Sequence, residues 1–320
     1  MTMMHAVTFD APGPPEALTF TEIPLPARVN GEVLIRVHAA GVNPVDAATR
    51  AGRGAWAAAE GPPLVPGNDV AGVVVESPYD AHPLAPGTRV YGMGMVPRTP
   101  GTYAEYVSLP AMCLAKMPQR IDLTEAAAVP LAALTAWGMV VEIAKAHDGQ
   151  RMLIHAGAGG VGHLAVQLAS FFGAHVIATC GPDNIDFVRS LGADEVVDYT
   201  AGPFEEAVGT VDAVIDLIGN TEHETGSRSI RVLRTAGLYV NAPAGSFPTM
   251  REEADTAGVR ATDFRVSPDA AALAVISRLI DARDLTVHVD RVLALEEAAQ
   301  AHRLIESGHT RGKIVLSVAG

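Results

Sequence analysis

Between residues 152 and 172 an apolar run, Met152-Leu153-Ile154-His155, leads through Gly157-Ala158-Gly159-Gly160-Val161-Gly162 into a segment whose apolar positions recur at helical spacing: Val161, Leu164, Ala165, Leu168, Ala169 and Phe172. A G-x-G-x-x-G pattern alone carries little weight. Here a predicted strand precedes it and a predicted amphipathic helix, 160–172, follows it, which is the context that gives it meaning. A tight turn at Gly157 and a missing side chain at Gly159 let the backbone approach a pyrophosphate. The helix start, with Gly160, Val161 and Gly162, offers it unpaired N–H groups and partial positive charge. The bland alternative is a glycine-rich turn without a ligand. The pattern downstream counts against it: predicted strands 175–180, 195–199, 213–218, 237–242 and 262–266 alternate with predicted helices 183–191 and 224–233. Such alternation specifies an α/β fold with a doubly wound parallel sheet.

The first 120 residues have another texture. Short β-branched runs at 6–9, 32–37 and 70–75 are punctuated by Pro-Gly and Pro-Pro pairs, as in a barrel or sandwich, with room for one short helix in 39–52. Residues 269–320 read as two helical segments and a closing strand, 313–318.

Of the 320 residues 48% are hydrophobic and 18% charged, enough apolar material for a sizeable core. The net charge of −13 repels phosphate backbones, so nucleic acid is excluded as the main partner. The longest apolar stretch, 126–141, is broken by Pro130, Thr135 and Gly138 and falls short of a bilayer span, so no membrane partner is expected. Two cysteines, Cys113 and Cys180, make neither a disulfide framework nor a four-cysteine zinc site. With no basic-then-apolar start, the expectation is a cytoplasmic protein.

A site that prefers NAD carries an acid about 20 residues beyond the glycines, at the end of the second strand. Here that end reads Thr179-Cys180-Gly181, with Asp183 just beyond. A small uncharged end leaves room for a 2′-phosphate, and the expected cofactor is NADPH, with Thr179 among its contacts.

The chain resembles the zinc-free quinone oxidoreductase branch of the medium-chain dehydrogenase/reductase superfamily over nearly its whole length. The resemblance rests on Gly41-Val42-Asn43-Pro44-Val45-Asp46, Pro66-Gly67-Asn68-Asp69-Val70-Ala71-Gly72, Gly101-Thr102-Tyr103-Ala104-Glu105-Tyr106-Val107, Ala133-Leu134-Thr135-Ala136-Trp137, the glycine loop, Leu191-Gly192-Ala193-Asp194 and Arg311-Gly312-Lys313-Ile314-Val315-Leu316, in that order. It implies a GroES-like β-barrel catalytic domain split between 1–120 and 267–320, around a Rossmann domain at 121–266. It also implies NADPH-dependent reduction of a quinone or α,β-unsaturated carbonyl by a homodimer, expected to pair through strand 262–266. Zinc-bearing members place a Cys after the first glycine-marked strand end and a His-Glu pair at the later Pro-Gly motif. Those places read Asn43-Pro44-Val45-Asp46 and Asn68-Asp69 here, and no metal is expected. A family Tyr near the nicotinamide is replaced by Ala48, and a Lys that pairs with the 2′-phosphate matches Asn184, while Tyr199 matches the Tyr beside the adenosine phosphate.

The candidate catalytic residues are therefore Asn43, as a hydrogen-bond donor to the substrate oxygen or as a mere turn-former before Pro44, and Thr135, bonding the nicotinamide ribose or its own helix. Asn184, Tyr199 and Lys313 are expected at the cofactor. Tyr91, Met93 and Met95 either line a pocket for a flat conjugated ligand or pack in the core. A protein that holds NADPH as a sensor, with little turnover, is the competing reading, kept open by Ala48.

Overall fold

The computed structural model describes residues 2–59, 61–95, 101–221 and 223–318. It divides into two compact units, Met1–Leu134 with Ser267–Gly320, and Thr135–Val266. Residues 121–134, expected with the second unit, pack with the first.

The opening strands are β1 (Met3–Thr8), β2 (Thr19–Pro24) and β3 (Glu32–Val42). Helix α1 (Pro44–Arg50) follows at once, because Pro44 presets the first helical φ and Asn43 caps it. Then come β4 (Asp69–Glu76), β5 (Arg89–Met93), β6 (Tyr106–Pro110) and β7 (Leu114–Lys116). Helix α2 (Leu123–Ala127) opens on a reciprocal Asp122–Glu125 capping box, and α3 (Pro130–Trp137) again starts on proline.

The second unit runs β8 (Arg151–Ile154), α4 (Gly162–Phe171), β9 (His175–Cys180), α5 (Ile185–Ser190), β10 (Glu195–Asp198), α6 (Phe204–Val208) and β11 (Val211–Asp216). It closes with α7 (Thr225–Arg231), β12 (Leu233–Asn241), α8 (Met250–Ala257) and β13 (Arg260–Asp263). The chain then returns to the first unit with α9 (Ala270–Ala282), β14 (Val289–Ala294), α10 (Ala298–Glu306) and β15 (Lys313–Ser317).

In the first unit the main sheet has the order β14-β15-β3-β4-β5-β7, with β6 also on β3; β1 and β2 form a separate ribbon. All of its pairs are antiparallel except β14 with β15. Its core is aliphatic, built on Val33, Ile35, Val37, Val70, Val90, Val107, Leu109, Ile314 and Leu316. In the second unit six strands run in the order β10-β9-β8-β11-β12-β13, every pair parallel. Connections leave β8 in one direction and β11 in the other, which makes the β8/β11 seam the switch point where open α/β sheets bind ligands. Among the described residues no helix is long and apolar enough to cross a membrane.

Two elements carry no sequence signal of their own. Helix α8 reads Met-Arg-Glu-Glu-Ala-Asp-Thr-Ala and buries only Met250 and Ala254, four apart. Strand β14 is largely exposed at a sheet edge, so its sequence does not alternate. The expected strand at 262–266 lies earlier, at Arg260–Asp263, and forms the other sheet's edge.

Candidate active site

In the second unit β8 delivers the chain to a strained turn. Ala156 has φ +52°, in the left-handed region, and the Gly157 amide donates to the Thr179 carbonyl at 2.8 Å. The turn leads straight into α4. A Cβ on Gly162 would lie 2.0 Å from the Ala156 carbonyl oxygen and 2.9 Å from the Gly157 Cα, so only glycine lets the helix start this close to the loop. A Cβ on Gly159 would meet nothing nearer than that same oxygen, at 3.3 Å, and otherwise points into open space. The loop is therefore a cradle whose free side a side chain would fill, backed by a helix start, and its residues fit a dinucleotide pyrophosphate.

Thr179 is not on that free side. It is buried, and its hydroxyl is spent on His155 Nδ1 at 3.1 Å and on the Ala156 amide at 3.3 Å. It braces the loop from behind, which corrects its expected place as a cofactor contact. His155, missed in the sequence, completes the brace with Nε2 at 2.8 Å from the Ser229 hydroxyl. Burial lowers its basicity and keeps it neutral. The ends of β9 and β10 gather Gly181, Asn184 and Tyr199. The Asn184 amide donates to the Gly181 carbonyl at 3.0 Å, and a Cβ on Gly181 would lie 3.8 Å from the half-exposed Tyr199 hydroxyl. At the end of β11, Asp216 accepts from the Ile218 and Gly219 amides at 2.7 and 2.9 Å and from the Tyr239 hydroxyl. Thr135 lies buried on α3.

The first unit holds a second polar cluster, fully buried. Asn43 caps α1, with its Nδ2 donating to Asp69 Oδ2 at 2.9 Å and its Oδ1 accepting from Lys313 Nζ at 2.5 Å. Lys313 Nζ also donates to the Val42 carbonyl at 3.0 Å and lies 3.4 Å from Asp69 Oδ2. Asp69 Oδ1 accepts the Leu131 amide at 2.7 Å, in the first turn of α3. Beside it, Asp46 accepts the Asn43 amide at 2.8 Å, Asn68 Nδ2 at 2.6 Å and the Tyr103 hydroxyl at 3.4 Å. That hydroxyl lies 3.4 Å from His302 Nε2. Burial pushes the Asp46 carboxyl up to about 7 against the pull of its Asn68 and Asn43 bonds, and lowers His302 to about 3 with help from the Arg50 charge.

Of the two readings of Asn43, the geometry fits the turn-former before Pro44: it is 2% exposed and its side-chain amide is engaged inside the unit on both atoms. Lys313, expected at the cofactor, is 2% exposed and bonded to Val42 and Asn43, so its ammonium is committed inside the first unit. The same residues answer the question of zinc. Where zinc-bearing members offer thiolate and imidazole, this site offers the amides Asn43 and Asn68, the carboxyl Asp69 and an ammonium. Among the described residues no group of three or more His, Cys, Asp or Glu is placed to hold a metal. These residues do not fit zinc.

Tyr91 and Met93 are core, the second of the two alternatives raised above. Tyr91 is fully buried and its hydroxyl is tied to the Leu273 carbonyl at 2.7 Å and the Ser277 hydroxyl at 2.9 Å, both on α9; Met95 is exposed. Tyr91→Phe is expected to cost about 1 kcal/mol of stability, the usual worth of a buried hydrogen bond, while leaving steady-state kinetics unchanged. Denaturant unfolding beside steady-state kinetics checks both halves.

Two family models match, the alcohol dehydrogenase GroES-like domain at residues 29–119 and the zinc-binding dehydrogenase domain at residues 191–316. The chain is similar to the mitochondrial NAD(P)H oxidoreductase RTN4IP1 of Danio rerio, 32% identical, covering 99% of this chain and 92% of that one. It is similar to the chloroplastic NADPH-dependent alkenal/one oxidoreductase of Arabidopsis thaliana, 33% identical, over 92% of this chain and 74% of that one. Among solved structures, the quinone oxidoreductase from Coxiella burnetii is 36% identical with a TM-score of 0.94, over 99% of this chain and 100% of that one. A GroES-like unit, a Rossmann-type unit and this likeness along the whole length agree: the chain belongs to the quinone oxidoreductase-like family of the medium-chain dehydrogenase/reductase superfamily and is an NAD(P)H-dependent oxidoreductase.

Proposed function

We propose that the protein reduces a quinone or an α,β-unsaturated carbonyl with NADPH and without zinc. The carrying observation is the glycine cradle: Gly162 pressed against Ala156, Gly159 open on its free side, and a helix start behind both. NADPH, when bound, supplies a hydride to the acceptor. The chain's part is to seat the pyrophosphate on the amides of 157–162, to brace that loop through Thr179 and His155, and to keep α3, with Thr135, in place. With no Lewis acid and with Asn43 engaged internally, charge arising on the acceptor oxygen falls to backbone N–H groups and the ribose hydroxyl. A conjugated acceptor suits so mild a site, because its enolate is easier to stabilise than an alkoxide. Ala48 donates no proton, so the α-carbon is protonated by water.

Turnover of an ortho-quinone and a simple enone, unchanged by a chelator and faster than that of a saturated ketone, is the expected result. A saturated ketone reduced faster, or activity lost to chelation, overturns the reading; NADPH binding without turnover of any acceptor favours the sensor.

The uncharged end of β9 and the Tyr199 hydroxyl beside it support NADPH over NADH, while Asn184 stands where a cationic partner for a 2′-phosphate is expected. Asn184→Lys adds a charge-assisted bond to a 2′-phosphate and is expected to widen the preference about tenfold. Fluorescence titrations with both cofactors check it. The edge strand β13 supports a homodimer, since pairing with its twin would satisfy the open backbone groups. Light scattering is expected to give twice the chain mass. Cys113 and Cys180 are free and buried, their thiols pushed up to about 11 by burial, which suits a reducing, cytoplasmic setting.

A further inference from the structure

The geometry points to Lys313 as the resident cation of the buried site in the first unit: its ammonium stands among the Val42 carbonyl, Asn43 and Asp69 and, through Asp69 and Asn43, fixes the starts of α3 and α1.

The contacts carry this. Lys313 Nζ lies within 3.4 Å of three oxygens, those of the Val42 carbonyl, the Asn43 amide and the Asp69 carboxyl. Two of these oxygens belong to side chains with a second task. Asn43 is the N-cap of α1 and hands its Nδ2 to Asp69. Asp69 turns its other oxygen to the Leu131 amide, one helical turn before Thr135. Lys313 thus bears on α3 through one intermediary, as a positioning residue.

The charge arithmetic explains why a lysine is used. The charged and titratable groups around Asp69 are Lys313 from β15, Asp46 from α1 and Tyr103, with His302 from α10 behind them. That is two buried carboxyls against one ammonium. The ammonium contacts Asp69, and Asp46 is left with neutral donors only. Of the two carboxyls, Asp69 is the one in contact with the ammonium, which offsets part of the cost of burying its charge. An apolar side chain of equal length would fill the same volume and leave a buried charge with no counter-ion, which costs far more than the pair contributes.

The test is thermal unfolding of the full chain as wild type, Lys313→Met, Asp69→Asn and the double variant, at pH 6 and pH 8, with hydrogen exchange at the Leu131 amide. Burial already raises the Asp69 carboxyl with the ammonium beside it, and removing the ammonium raises it further, so the Lys313→Met loss grows as pH rises. We expect Tm to fall by roughly 10 °C at pH 8 and by less at pH 6, with faster exchange at Leu131. The double variant is expected to recover at least half of that loss and to show no added pH slope. If Lys313→Met alone fails to fold, the double variant is still expected to fold. A Lys313→Met loss that is the same at both pH values, unchanged exchange at Leu131, or a double variant no more stable than the single one overturns the proposal.

Discussion

Gly162→Ala is expected to lower NADPH affinity by about 100-fold, the penalty typical of a misplacement near 1 Å in a site that works by position. The new methyl would sit 2.0 Å from the Ala156 carbonyl oxygen and 2.8 Å from its carbonyl carbon. Both atoms are backbone, so no rotamer change relieves the clash. Ala156 already holds a left-handed φ, and its amide and carbonyl are fixed by Thr179 and by the Gly159 amide at 2.9 Å. The start of α4 must move instead, and its first-turn amides with it. The same overpacking is expected to cost about 1–3 kcal/mol of stability. Gly159→Ala separates the two effects. Its methyl meets one atom at 3.3 Å, so the fold tolerates it, yet it projects into the space the pyrophosphate needs. Stability near wild type with affinity lost is the expected outcome there. Fluorescence titration beside denaturant unfolding distinguishes the variants, and a Gly159→Ala protein that binds NADPH normally would place the pyrophosphate elsewhere.

The second large effect concerns Asp46. Replacing it by Ala strands the Asn43 amide and the Asn68 Nδ2 in a buried site, and the expected loss is about 2–5 kcal/mol. Asp46→Asn keeps an acceptor for the Asn43 amide, and a flip of the Asn68 amide restores the other bond, so most of that loss is recovered. The pH dependence has a definite sign. A carboxyl at about 7 in the folded protein, against about 4 in the unfolded chain, binds its proton more tightly when folded. Its contribution is full below pH 4 and is lost as pH rises through 7. Thermal unfolding between pH 5 and pH 8 should show wild-type stability falling with pH and the Asp46→Asn slope flattened. Equal slopes in the two proteins would mean that Asp46 is ionised throughout.

Features written in local pattern were legible in the sequence. The 3.6-residue spacing after Gly162, the apolar run before Gly157 and the alternation of strand and helix placed the cofactor loop and the doubly wound sheet. The short helix expected within 39–52 is α1. What failed was the role of single polar residues. Thr179 and Lys313 were expected to face a ligand, and Asn43 either to do so or to form the turn before Pro44; each is turned inward onto partners 23, 270 and 26 residues away, respectively. A side chain's direction is set by its tertiary neighbours, and nothing in local spacing reports it. Tyr103 and His302 went unnoticed as partners for the same reason, being 199 residues apart.

That separation bears on how the chain is made. The second unit is one uninterrupted stretch, Thr135–Val266, and can close as soon as it has left the ribosome. The first unit cannot. Asp46, Asp69 and Asn43 are synthesised early, while His302 and Lys313 arrive some 200–270 residues later. Until then Asp69 lacks the ammonium beside it, and the edge of β3 that β15 will cover is open. The nascent protein therefore carries its finished nucleotide-binding half while its amino-terminal half waits, open and acidic, for the last strand, and this order makes the closing segment the step at which a chaperone has most to protect.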